Sequence, residues 1–159
     1  MKDNAADIVI APCTELEVIQ QCAAMMASSD PWITMGFSYA QCLRAFEGHW
    51  RETYVLWYQQ EVAGFVVIQP LGTFRGYIQT LCVSEAYRGK GLGHHLLYFC
   101  EEKILETSPN LFICVSAFNT RALKLYESFG FERIGELPNF VKSGITEILL
   151  RKTVGPMMP

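Results

Sequence analysis

The stretch from Gln79 to Leu97, QTLCVSEAYRGKGLGHHLL, decides the fold of this chain. It begins with an apolar run that is typical of a strand and ends near Val83, and it continues as a helix with one apolar face. The segment Arg88–Gly93, RGKGLG, lies between them. Alternate glycines let a backbone approach a ligand closely, and the free N–H groups of a first helical turn attract anions. The stretch therefore predicts a strand, a pyrophosphate-binding loop and a helix.

The spacing of the glycine loop distinguishes it from two nucleotide-binding motifs. A Walker loop needs Gly-Lys-Ser/Thr, whereas Lys90 is followed by Gly91. A dinucleotide fingerprint needs Gly-x-Gly-x-x-Gly, whereas Gly89, Gly91 and Gly93 alternate. Both nucleotide motifs fail on spacing. A plain tight turn at the start of a helix stays open as the alternative, and so does a protein that binds ATP or NAD through this loop.

A second motif follows in residues 112–131, FICVSAFNTRALKLYESFGF. It is typical of a strand followed by a helix, with Asn119 at the helix start and Tyr126 within the helix. Taken together, the two motifs resemble the GNAT superfamily of N-acetyltransferases. The resemblance covers residues 50–152, and the first 50 residues match mainly in the order of their elements.

The resemblance implies acetyl-coenzyme A as cofactor and a site that binds it. Main-chain groups of Leu81 and Val83 would pair with the pantetheine arm, and the Val83 N–H would polarise the thioester carbonyl. Tyr126 would be the general acid that protonates the leaving sulfur, although its spacing also fits a core tyrosine. The remaining cofactor-binding positions would be Arg88, Gly89, Gly91 and Gly93 at the pyrophosphate, and Asn119.

The general base is harder to place. The carboxylates that two branches of this superfamily use fall at Tyr77 and Cys114, and neither is acidic here. We favour Glu147 on the last strand, acting through water, with Asp30 and Glu85 as other candidates. Cys114 also permits an acetyl-cysteine intermediate, but it has no neighbouring histidine to generate a thiolate.

The acceptor is predicted to be a primary amine, either a small molecule or a peptide N-terminus. Residues 29–37 and 137–144 would flank the substrate mouth, or their aromatic residues only anchor loops. Asp30-Pro31-Trp32 is similar to a loop of ribosomal-protein alanine N-acetyltransferases. A polyamine, an amino acid and an aminoglycoside also stay open as acceptors.

Composition limits the classes of protein to which the chain can belong. Its 159 residues fit one domain, predicted over residues 1–154 with a flexible tail at 155–159. A net charge of −3 argues against nucleic-acid binding, which needs a basic surface. No stretch predicts a signal peptide or a membrane span, so we expect a cytoplasmic protein. The six cysteines have no paired or metal-ligand spacing and are predicted to be free thiols.

Periodicity predicts an α/β fold, a mixed sheet with helices on both faces. The resemblance implies a GNAT-like fold, with a mostly antiparallel sheet of about seven strands. Thr14 and Glu17 predict a capping box for a helix over 15–28, and Ser38 and Gln41 predict a cap for the next short helix. Longer helices are predicted over 89–106 and 119–129.

A rival prediction is a non-catalytic acyl-CoA-binding or sensing module that has kept this fold. The residues Tyr77 and Cys114, where a carboxylate is used elsewhere, favour it, and the intact Asn119 and Tyr126 oppose it. A homodimer is predicted by analogy alone.

Overall fold

A computed structural model describes residues 7–159, and these form one mixed sheet flanked by helices. The strands follow the order β1-β2-β3-β4-β5-β7-β6, and only the β4–β5 pair is parallel. The elements are β1 (Ile8–Pro12), α1 (Leu16–Ala27), α2 (Trp32–Met35), α3 (Tyr39–Arg44), β2 (Glu52–Tyr58), β3 (Glu61–Gln69), β4 (Tyr77–Val83), α4 (Leu92–Leu105), β5 (Asn110–Ser116), α5 (Thr120–Phe129), β6 (Glu132–Pro138) and β7 (Thr146–Thr153).

The sheet buries apolar side chains on both faces because its central strands alternate between two cores. On β3, Val66 and Ile68 belong to the core beneath α4 and α5. Their neighbours Phe65 and Val67 belong to the core beneath α1 and α3. Successive side chains of a strand point to opposite faces, so a strand that is apolar throughout must be covered on both sides. The predicted α/β class is confirmed.

The parallel strands β4 and β5 separate soon after they meet. They pair only at Tyr77 with Phe112 and at Ile78 with Ile113, although β4 continues to Val83 and β5 to Ser116. The rest of β4 therefore has a strand neighbour on the β3 side alone. This divergence opens a cleft in the middle of the sheet.

Two local predictions at helix starts were wrong. Helix α1 begins at Leu16 with Glu15 as N-cap and no side-chain cap bond, so the Thr14–Glu17 capping box does not form. Helix α4 begins at Leu92 rather than at residue 89. The Ser38–Gln41 capping box of α3 is confirmed, with both of its hydrogen bonds present.

The domain was predicted over residues 1–154 with a tail at 155–159, and the structure describes the C-terminal limit but not the first six residues. Residues 1–6 lie outside the described part of the chain. The tail at 155–159 contacts the body where the Ser108 hydroxyl lies 3.8 Å from the Met157 sulfur.

Candidate active site

A cavity of about 690 Å³ occupies the cleft between β4 and β5. Backbone and side chains of both strands line it, together with the start of α4, the start of α5 and the segment around α2. All nine residues predicted to bind the cofactor or to catalyse lie on its wall: Leu81, Val83, Arg88, Gly89, Gly91, Gly93, Asn119, Tyr126 and Glu147.

The glycine loop enters α4 through left-handed backbone conformations. Gly89 has φ +80° and Gly91 has φ +76°, and a Cβ at either position would meet nothing within 4 Å. Residues with side chains rarely adopt this conformation, and the absence of a Cβ leaves open space beside the loop. These φ values also explain why α4 cannot begin at residue 89.

The first turn of α4 carries unpaired backbone donors. Gly91 is its N-cap, and the His95 N–H donates to the Gly91 carbonyl at 3.2 Å, which closes the first turn. The N–H groups of Leu92, Gly93 and His94 precede that bond and have no acceptor within the helix. Such donors, in the field of the helix dipole, suit an anion.

Gly93 has a second reason to be glycine. It lies within α4, and a Cβ there would stand 3.1 Å from the Cδ2 atom of Leu125 on α5. The residue therefore permits close packing of the two helices as well as an open loop.

The free edge of β4 offers main-chain groups to the cleft. The Ser84 N–H donates to the Ala63 carbonyl at 2.8 Å, which is the β3 side. N–H groups alternate along a strand, so those of Leu81 and Val83 point to the other side, where β5 has moved away. An extended ligand could add to this edge as a strand would.

Tyr126 lies at the floor of the cavity on α5 and is buried. Burial raises the pKa of its hydroxyl well above the usual range, and the nearby Cys82 and Cys100 raise it further. This hydroxyl makes no hydrogen bond to another residue within 7–159. It is therefore a protonated donor whose hydrogen remains available.

Asn119 caps α5 from the cavity wall. Its Oδ1 accepts the Ala122 N–H at 3.3 Å, and its own N–H donates to the Ser116 carbonyl at 2.8 Å. The cap uses the side-chain oxygen, so the amide nitrogen of Asn119 stays available as a donor.

Glu147 is a buried carboxylate at the end of the cavity opposite the glycine loop. It pairs across the β5–β7 ladder with Ser116, whose hydroxyl donates to its Oε1 at 2.7 Å. Burial raises the pKa of Glu147, and the Ser116 hydrogen bond partly opposes this rise. A carboxylate with a raised pKa accepts protons more readily than an exposed one.

Tyr77 and Cys114 stand beside Glu147 on the same wall. Burial raises the pKa of Cys114, its contact with the Tyr77 hydroxyl lowers it, and the Glu147 charge raises it. Burial likewise raises the pKa of Tyr77, and its contacts with Cys114 and Glu147 add to the rise. Both groups are thus neutral near pH 7, and the Cys114 thiol is a poor nucleophile there.

The other two candidate bases have different surroundings. Asp30 lines the cavity, but its Oδ1 accepts hydrogen bonds from the backbone N–H and the hydroxyl of Thr34 within α2. Glu85 is exposed in a short 3-10 helix and does not line the cavity.

The cavity-lining residues that sequence reasoning did not single out include His94, Ser116 and Arg121, whereas Met35 lies in the segment 29–37 that was expected to flank the substrate mouth. His94 and Arg121 occupy the first turns of α4 and α5. Their short separation in sequence from the glycine loop and from Asn119 could have indicated that they line the site. Ser116 has no such signal, because only the pairing of β5 with β7 brings it to Glu147.

The structure also describes the state of the cysteines, the length of the helices and the grouping of residue types that bind metals. All six cysteines are free, as predicted. No helix between residues 7 and 159 is both long and apolar enough to span a bilayer. In the same range, no group of three or more His, Cys, Asp or Glu side chains could hold a metal ion.

Two features of the fold indicate the class of protein. The sheet opens between two parallel strands, and a glycine loop lies at that opening. Residues 19–131 match the acetyltransferase (GNAT) family. The chain belongs to that family.

Similar proteins include N-alpha-acetyltransferase 30 of Xenopus laevis, 37% identical over 86 residues that make up 48% of this chain and 29% of that protein. N-alpha-acetyltransferase RimI of Mycobacterium tuberculosis is 28% identical over 90% of this chain and 85% of its own length. This chain thus spans less than a third of the first of these relatives.

A crystal structure of a GNAT family acetyltransferase from Elizabethkingia anophelis, with acetyl-CoA bound, has the same fold. Its TM-score is 0.74 at 21% identity, and the likeness covers 93% of this chain and 99% of that one.

Proposed function

We propose that this protein transfers the acetyl group of acetyl-CoA directly to a primary amine, borne by a small molecule or by a peptide N-terminus. One observation carries the proposal: a single cavity joins an anion-binding helix start to a buried carboxylate and passes a protonated tyrosine. These three elements together can accelerate the transfer of an acyl group from a phosphate-bearing thioester to an amine.

The cofactor end would bind acetyl-CoA largely through backbone groups. The first-turn N–H groups of α4, together with Arg88, Gly89, Gly91 and Gly93, hold the pyrophosphate, and the edge of β4 at Leu81 and Val83 pairs with the pantetheine amides. The Asn119 amide nitrogen donates to the same ligand. The presence of bound acetyl-CoA in a protein of the same fold supports this assignment.

In the proposed reaction, one proton is removed from the acceptor amine and one is donated to the departing sulfur. Glu147 accepts a proton from the acceptor amine, directly or through a water, so that the nitrogen can attack the thioester carbon. The carbon–sulfur bond then breaks, and Tyr126 donates its hydrogen to the departing sulfur. The products are an N-acetyl amide and free CoA, and no acyl-enzyme on Cys114 is required.

The acceptor is best sought first among peptides with free N-termini. Two relatives are named as N-alpha-acetyltransferases, and an acidic group at the acceptor end attracts an ammonium. Small amines belong in the same screen. A cytoplasmic location, a homodimer and one domain over 1–154 with a flexible tail stay predictions.

The first experiment is a calorimetric titration with acetyl-CoA, with ATP and NAD as controls. We expect micromolar binding of acetyl-CoA alone. Release of CoA, corrected for hydrolysis and followed with an amine panel, then tests transfer, and mass spectrometry identifies the product. Absence of binding would contradict the whole proposal. Binding without transfer to any amine would favour the non-catalytic acyl-CoA module instead.

A further inference from the structure

A lysine on the loop between β6 and β7 contacts the end of α2, next to a residue that lines the cavity. The Lys142 ammonium donates a hydrogen bond of 2.6 Å to the Met35 carbonyl at the end of α2. The two residues are 107 positions apart in sequence. We call this contact the Lys142–Met35 clasp.

The loop that carries Lys142 is fixed by its own hydrogen bonds. The Gly144 N–H donates to the Asn139 side-chain oxygen at 2.7 Å, and the Asn139 N–H donates to the Ile145 carbonyl at 3.0 Å. The Ile145 N–H in turn donates to the Lys142 carbonyl at 3.1 Å. These bonds hold the backbone of Lys142 next to the start of β7, and so fix the point from which its side chain extends.

The partner of Lys142 belongs to the cavity wall beside the candidate base. The Met35 side chain is buried and lines the cavity, and its sulfur lies 4.0 Å from the Ser116 hydroxyl. That hydroxyl is the one that donates to Glu147. A shift of Met35 would thus change the space beside the hydroxyl that holds the carboxylate.

The Met35 carbonyl is the one hydrogen-bond partner of the Lys142 ammonium within residues 7–159. The ion pairs in that part of the chain do not include Lys142. The next residue after Met35 is Gly36, and a Cβ there would stand 3.2 Å from the Lys142 nitrogen. Gly36 has φ +74°, so the glycine both ends α2 and leaves room for the ammonium.

We infer that Lys142, through its bond to Met35, is a positioning residue that sets the width of the acceptor entrance to Glu147. Helix α2 has only four residues, so a charge-assisted bond at its end is a substantial restraint on its position. The enzyme would then select acceptors by the bulk behind the amine. The selectivity part of this inference rests on the proposed acetyl transfer, whereas the width of the entrance does not.

The first test measures acceptor selectivity in Lys142→Met, which keeps the side-chain length and removes the donor. The probes are n-butylamine, neopentylamine and 1-naphthylmethylamine, which share a CH2–NH2 head and differ in bulk. We expect the kcat/KM ratio of naphthylmethylamine to n-butylamine to rise roughly tenfold, with the KM for acetyl-CoA unchanged. Lys142→Arg should restore the wild-type ratio, and an unchanged ratio in Lys142→Met would overturn the inference.

A matched control substitutes an exposed lysine elsewhere. Lys124 lies on the exposed side of α5 and does not line the cavity. Lys124→Met changes the net charge as Lys142→Met does, and we expect the wild-type ratio for it.

The second test needs no acetyl transfer and uses Cys114 as a reporter inside the cavity. Its alkylation by iodoacetamide and by the bulkier pyrenyl maleimide is followed by peptide mass spectrometry at pH 8.5. Cys13, half-buried and outside the cavity lining, is the reference in the same molecule. In Lys142→Met the bulky-to-small rate ratio should rise several-fold at Cys114 and stay constant at Cys13. An unchanged ratio at Cys114 would refute the clasp even if the protein proved to be an acetyltransferase.

Discussion

One end of the cavity is formed mainly by backbone groups and the other mainly by side chains. The cofactor end consists mainly of backbone: two left-handed glycines, the first turn of α4 and the free edge of β4. The acceptor end consists of side chains, with Glu147 held by Ser116 and Met35 held by Lys142. The first end comes mostly from one short stretch of chain, whereas the second joins residues up to 107 positions apart.

We expect the two ends to respond differently to substitution. A backbone site recognises the phosphates and amides of a cofactor that does not vary, so its geometry has little freedom. A side-chain site depends on which residues line it, such as Tyr77, Cys114 and Glu147 here. We therefore expect substitutions at the acceptor end to change turnover and selectivity, and substitutions at the cofactor end to change affinity.

The largest effect is expected where the two ends meet, at Tyr126. Tyr126→Phe removes the hydroxyl and keeps the ring, and we expect kcat to fall about 10³-fold with little change in the Kd for acetyl-CoA. Burial holds the Tyr126 pKa high, so the wild-type rate should show no loss from its deprotonation up to about pH 10. Steady-state kinetics and calorimetry make the comparison. A variant with the wild-type kcat would remove Tyr126 from the acid role.

The next effect tests the side-chain end alone. Glu147→Gln keeps the shape and removes the base, and we expect kcat/KM for the acceptor to fall about 10²-fold. In the wild type the rate should fall as pH drops through the Glu147 pKa, which burial places above the usual carboxylate range. The variant should lack this acidic limb. An acidic limb of the same midpoint in Glu147→Gln would assign the base to another group.

A smaller effect tests the backbone end. Gly91→Ala places a Cβ in the open space of the loop, and we expect the Kd for acetyl-CoA to rise about tenfold. Gly72→Ala is the matched control, since Gly72 also has a positive φ, an empty Cβ position and no place on the cavity wall. Both variants should lose about 1 kcal/mol of stability from backbone strain. Equal affinities in the two variants would mean that the loop does not approach the cofactor.

The same contrast explains which features the sequence predicted. The loop glycines were predictable because a left-handed turn followed by a helix start restricts the residue types allowed at fixed spacing. The strands β2 and β3 were predictable because both are apolar runs that bury two faces. The start of α1 was not predictable. Thr14 has a side chain suited to an N-cap, but the N-cap of α1 is Glu15, which makes no side-chain cap bond.

The acceptor end was predictable only in part. Glu147 was selected as an acidic residue on the last strand, but its burial and its bond to Ser116 depend on the β5–β7 register. The bond between Lys142 and Met35 has no local pattern at all, because it depends on how the end of α2 meets the loop between β6 and β7. Contacts of this kind follow from the tertiary fold and not from spacing.

The smallest effect separates the chemical role of Glu147 from its cost to the fold. Burial raises the Glu147 pKa in the folded protein, so the folded state binds a proton there more tightly than the unfolded chain does. The resulting stability is fully present below the unfolded pKa and is lost as pH rises through the folded pKa. Glu147→Gln should therefore be more stable than the wild type at pH 7.5, and this difference should shrink at pH 4. Urea denaturation at both pH values measures it, with Glu136→Gln on the exposed strand β6 as control. A stability difference that does not change with pH would show that the carboxylate is not desolvated, and the acceptor end would then be an ordinary polar surface.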